Sequence, residues 1–95
     1  MKKTIYITRS TRYGSSRKTG AYDVYDLAVT YSLHAAHDAA ERELYHLTDA
    51  ERQKTDVSVE AYTVETLEGE TAKEAYDRLL DEDELPGDPD LSEIY

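Results

Sequence analysis

Cysteine, phenylalanine and tryptophan are absent from this chain of 95 residues, and proline occurs only twice. Without cysteine, neither a disulfide nor a thiolate zinc site can staple a small fold. No apolar run approaches the ~20 residues of a membrane span, and no apolar leader stretch follows Met1. The expectation is a soluble, cytoplasmic protein with no membrane partner. A chain of this length makes one domain, with a core too modest for a large buried catalytic cleft.

Acid is also missing from one end. Residues 1–20 hold six Lys/Arg and no Asp or Glu, whereas residues 21–95 hold five Lys/Arg against all 21 acids. The two parts carry +6 and −16, giving the net charge of −10. Such a molecule repels a nucleic-acid duplex on average and attracts a basic partner. Nine tyrosines are the whole aromatic complement. Tyr suits half-buried faces and contact surfaces alike, so the count alone does not decide between them.

The period of the apolar residues changes along the chain. In "KTIYITR", Ile5 and Ile7 fall on one face and Thr4, Tyr6 and Thr8 on the other, the pattern of a half-buried strand. A basic Gly- and Ser-rich loop follows, and alternation resumes in "AYDVYDLAVTY". Residues 3–11 and 21–31 therefore read as an antiparallel pair joined by a long hairpin loop. Ser32 is placed as an N-cap, after which Leu33, Ala36, Ala40, Leu44 and Leu47 form one helical stripe, with Asp38 and Arg42 as an i,i+4 pair. Thr48 or Asp49 caps a further short turn. "DVSVEAYTVETL" returns to strand, with a bulge or change of face expected near Tyr62–Val64.

Thr71 and Glu74 make a capping box that opens a second helix. Ala72, Ala75, Tyr76 and Leu79 share one side of it, while Glu70, Glu74, Asp77, Asp81 and Glu84 share the other. Continued to Glu84, the helix carries a carboxylate row about 21 Å long, and Pro86-Gly87 ends it. The expected fold is α+β, a β-β-α-β-α domain over residues 1–87 with a three-stranded, mostly antiparallel sheet packed by helices. Residues 88–95 form an acidic C-terminal tail, with one helical turn available from Asp88 and Pro89.

Candidate chemistry is sparse. His34, His37 and Glu41 share a helical sector, but a fourth metal ligand is not visible and H-E-x-x-H is absent, so a boundary role is preferred. Gly14 and Gly20 lack the context of a phosphate loop, and "DEDELPGDPD" has its glycine in the wrong place for a calcium loop. Catalysis requires several convergent groups, and no such set is evident. The expectation is no catalytic residue, no metal and no cofactor. The acids of residues 65–95 number twelve, against only Lys73 and Arg78. Even with Arg78 paired to Glu74, most stay uncompensated, and like charges at i,i+4 repel by ~0.2–0.5 kcal/mol. A cationic groove shaped for phosphates would relieve that repulsion.

With the stretch "GETAKEAYDRLLDEDE", the small size and the scattered tyrosines, the chain resembles the small acidic inhibitors of phages and mobile elements, among them anti-CRISPR proteins and other DNA mimics. "HLTDAERQKTDVSVEAYTV" is similar to helix-to-strand segments of small phage and plasmid proteins. The resemblance implies a non-enzymatic inhibitor acting in the cytoplasm of a bacterial host. Its partner would be a DNA-handling effector such as a CRISPR-Cas nuclease, whose PAM-reading groove presents arginines. Glu70, Glu74, Asp77, Asp81, Glu82, Asp83 and Glu84 would supply charge, with Tyr95 and any exposed part of Tyr76 as aromatic anchors. The basic loop of Arg9, Arg12, Tyr13, Arg17 and Lys18 departs from a purely acidic mimic. It supports two alternatives: an adaptor joining proteins through that loop or the tail, and a small nucleic-acid-binding protein using the loop directly.

Overall fold

The computed structural model describes residues 1–14 and 22–95. Strand β1 (Lys2–Tyr13) and strand β2 (Tyr22–Thr30) form the antiparallel pair that the alternation predicts. Helix α1 (Leu33–His46) starts where Ser32 caps it, the Ser32 hydroxyl accepting the Ala35 N–H at 3.2 Å. A single turn, α2 (Asp49–Arg52), is fixed by a capping box of Thr48 and Glu51. Strand β3 (Thr55–Glu65) follows, then helix α3 (Ala72–Asp81), with the capping box of Thr71 and Glu74 in place.

The sheet has four strands rather than three. Leu91–Ile94 forms strand β4, antiparallel to β3, with Leu91 opposite Ala61 and Ile94 opposite Ser58. The sheet order is β2-β1-β3-β4. The segment expected as a tail with one helical turn is therefore partly built into the sheet. The reason is local: Asp90 accepts the Thr63 N–H on its carboxylate, donates its own N–H to the Ala61 carbonyl, and so delivers Leu91 in register.

Helices cover both faces. Ile5, Ile7, Tyr62 and Val64 pack with Ala72, Tyr76 and Leu79 of α3. On the other face, Val57 and Val59 pack with Ala36 and Ala40 of α1, and the buried Thr8 hydroxyl donates to the Ala36 carbonyl at 2.9 Å. The change of burial along β3 is thus a change of covering helix. Pairing of β1 with β3 runs unbroken from Lys2–Glu65 to Arg12–Thr55, so β3 carries no bulge. The irregularity lies between β1 and β2, where Thr8 opposes Ala28 and Arg9 opposes Asp26, leaving Leu27 extra.

α3 stops three residues short of Glu84. The Glu84 N–H reaches back to the Leu79 carbonyl at 2.9 Å and the Asp83 N–H to the Leu80 carbonyl at 3.2 Å, while Asp83 takes φ 55°. This is a Schellman stop with Asp at the left-handed position that glycine usually fills. It precedes Pro86-Gly87, so the helix ends before the breaker that the sequence displays.

Candidate acidic interface

The seven carboxylates expected to supply binding charge have different fates. Glu70 lies in the loop before α3 and takes Arg78 in a bidentate pair, at 2.9 Å from Nε and 3.1 Å from Nη2. It also accepts the Leu67 N–H at 2.9 Å. The Arg78 hydrogen bond, with the Leu67 N–H second, holds the Glu70 carboxyl below its ordinary value. Arg78 therefore pairs with Glu70, not with Glu74, and its Nη1 approaches Glu82 at 3.5 Å. Glu74 is committed to the capping box, its carboxylate accepting the Thr71 N–H at 3.0 Å. Asp77 takes Lys73 at 2.9 Å.

The carboxylates of Asp81, Asp83 and Glu84 remain exposed and, among the described residues, without a hydrogen-bond or ion-pair partner. They gather at the C-terminal end of α3, with Asp88 just beyond. That end already carries the negative pole of the helix, where each added carboxylate costs about 0.3–1 kcal/mol. The charge of the row is thus concentrated in a hydrogen-bonded turn instead of spread over 21 Å. Beside it lies a hollow of about 270 Å³ lined by residues that include Lys2, Leu79, Glu84 and Pro86.

The aromatic anchors divide as well. Tyr76 is buried at 4% exposure, its hydroxyl accepting Arg9 Nη2 at 2.8 Å, so it presents nothing to a partner. Tyr95 is partly exposed, but its hydroxyl donates to Glu93 at 3.0 Å and its ring meets His37 edge-on. Burial, then the Glu93 hydrogen bond, pushes the Tyr95 phenol up to about 12. His37 Nε2 lies 2.9 Å from the same Glu93 carboxylate, a clasp between α1 and β4. His34 instead faces Asp38 at 3.4 Å. No group of three metal-ligating side chains occurs among the described residues.

Within the expected basic loop, Arg9 belongs to the fold's interior. It binds Asp26 at 3.1 Å, Glu60 at 2.8 Å and the Tyr76 hydroxyl, while the Tyr62 hydroxyl donates to Glu60 at 2.7 Å. Burial opposes the Arg9 charge, but Tyr76, Glu60 and Asp26 outweigh it and raise the guanidinium above its ordinary value. Arg12 pairs with Glu43 at 2.9 Å and lies over the Tyr25 ring. Tyr13 donates to Asp56 at 3.2 Å. Arg17 and Lys18 lie outside the described residues. Among other tyrosines of the sheet, Tyr62 is buried and Tyr6 is half-buried against α1, while Tyr22 is 60% exposed.

Sequence reasoning missed the Arg9 network, which joins β1, β2, β3 and α3 across long separations. The available signal was Glu60 in the middle of a strand pattern. It also missed a surface groove of about 490 Å³ lined by Ser10, Arg12, Tyr25, Asp26 and Leu27. No helix among the described residues is long and apolar enough to cross a membrane. No family model, curated protein or solved structure matches the chain.

Proposed function

We propose that this protein is a non-catalytic inhibitor whose acidic turn at the end of α3 occupies the cationic nucleic-acid groove of a DNA-handling protein. A CRISPR-Cas nuclease, with its PAM-reading arginines, is the partner that the class resemblance suggests. One observation carries the reading: Asp81, Asp83 and Glu84 stay unpaired in a hydrogen-bonded turn, at a helix end that disfavours them. The compensated acids Glu70, Glu74 and Asp77 serve the fold first, so the binding charge resides in residues 81–84 with Asp88. Net charge of −10 steers a basic partner toward the molecule.

The test is retention of co-expressed Cas nucleases on tagged protein, with and without competing duplex DNA. Retention that DNA abolishes is expected. The combined variant D81N/D83N/E84Q should weaken it at least about tenfold, while Asp77→Asn, whose charge Lys73 already neutralises, should change it little. Equal binding by the triple variant and the wild type would remove the acidic turn from the mechanism. Retention of nucleic acid alone would move the function to the basic N-terminal part.

A further inference from the structure

Two buried hydroxyls of β1 have opposite fates. Alternation puts Thr8, Ser10 and Arg12 on one face of the strand. That face lies under α1, because the Thr8 hydroxyl donates to the Ala36 carbonyl and Arg12 pairs with Glu43, each at 2.9 Å. Ser10 sits between them, opposite Val57 of β3 and Tyr25 of β2. It is 1% exposed, and its hydroxyl finds no hydrogen-bond partner. Among the described residues, this is the one buried side-chain polar atom so left. Buried hydroxyls are ordinarily satisfied, and an unmet one costs the fold more than an alanine in its place.

Ser10 also belongs to the floor of the groove of about 490 Å³, whose other lining residues are Arg12, Tyr25, Asp26 and Leu27. A hollow of that size suits a small molecule, and its lining selects the chemistry. Tyr25, 48% exposed, and the Arg12 guanidinium, 5.5 Å from the Tyr25 ring centre, are flat groups on which a flat ring stacks. Leu27 adds apolar surface. Both charged residues of the lining are already engaged, Arg12 by Glu43 and Asp26 by Arg9. An ionised ligand would have to break one of those pairs, so the occupant is neutral. The Ser10 hydroxyl asks for a polar group at the ligand's edge.

We propose that this groove binds a small neutral heteroaromatic ring of the nucleobase kind, stacked on Tyr25 with a polar edge toward the Ser10 hydroxyl. Such a ring comes either as a free nucleoside or as a base of a single strand. The lining favours the nucleoside, since it leaves no cation to meet a phosphate. The site is separate from the acidic turn, whose hollow lies beside Lys2 at the opposite end of β1, and the inference does not depend on that turn.

The test titrates the full chain with adenosine and follows amide chemical shifts. Benzoate, which is flat but charged, cyclohexanol, which is neutral but not flat, and an oligodeoxyadenylate serve as comparisons. Expected are saturable shifts at Ser10, Arg12, Tyr25 and Leu27 with adenosine, and binding at least about fivefold weaker for benzoate and cyclohexanol. Ser10→Ala should weaken adenosine binding about fivefold and at the same time raise the urea midpoint, because it removes an unmet polar group. Tyr25→Leu, at an exposed position, should weaken it about tenfold, while D81N/D83N/E84Q should leave it unchanged. Absence of saturable binding, shifts confined to other surfaces, or undiminished binding by Ser10→Ala would each overturn the proposal. So would tighter binding of the oligonucleotide than of adenosine, which would make a strand the ligand.

Discussion

A left-handed backbone at a non-glycine residue costs stability, and Asp83 adopts φ 55° at the end of a helix whose dipole also disfavours its carboxylate. Asp tolerates this region better than most residues, because its short side chain can bond locally, yet among the described residues no such bond forms. Asp83→Gly relieves both strain and repulsion without disturbing the backbone bonds of Asp83 and Glu84 to Leu80 and Leu79. It should raise unfolding stability by about 1 kcal/mol in urea titration. If the carboxylate serves binding, the same variant should retain less partner. A stability gain with unchanged binding would separate the strain from the function, and a stability loss would show that the stop is not strained. Strain maintained at one residue is a reason to look there for function, and only the binding measurement converts it into one.

Elements in this fold were legible where the signal was local. The caps of α1, α2 and α3 each use residues three positions apart, and β1 declares itself by Ile5 and Ile7. β4 was not legible, because Leu91 and Ile94 point to opposite faces and four residues hold too few alternations to count. The end of α3 was misplaced because Pro86-Gly87 is a stronger signal than an Asp in the left-handed region. The acidic row was overcounted for a related reason: Glu70 finds Arg78 eight residues away, a pairing made by the loop entering α3 and not by helical spacing. That pair makes the docking of the loop onto α3 pH-dependent. Arg78 depresses the folded-state pKa of Glu70 below 4.5, so the stabilisation is present above that value and is lost as pH falls through the folded value. Glu70→Gln keeps an acceptor for the Leu67 N–H but removes the charge. Wild type should therefore be the more stable protein at neutral pH, and the difference should shrink as the solution is acidified through the lowered folded-state pKa of Glu70. A difference independent of pH would assign the contribution to packing instead of charge.

On the scale of the whole molecule, the acids unfavourable to the fold are the same ones proposed to attract a partner. Charge of −10 on 95 residues repels itself in the compact state, and the unpaired carboxylates of Asp81, Asp83 and Glu84 add to that repulsion. Salt weakens both effects, since the Debye length falls from about 10 Å at 0.1 M to about 3 Å at 1 M. Folding and binding should then respond with opposite signs. Adding sodium chloride over that range should raise the urea midpoint of the isolated protein while lowering its affinity for a basic partner, chiefly by slowing association. D81N/D83N/E84Q should flatten both responses, because it removes charge from the proposed contact and from the self-repulsion together. Parallel salt dependence of folding and binding would mean that the carboxylates at the end of α3 are a solvated face.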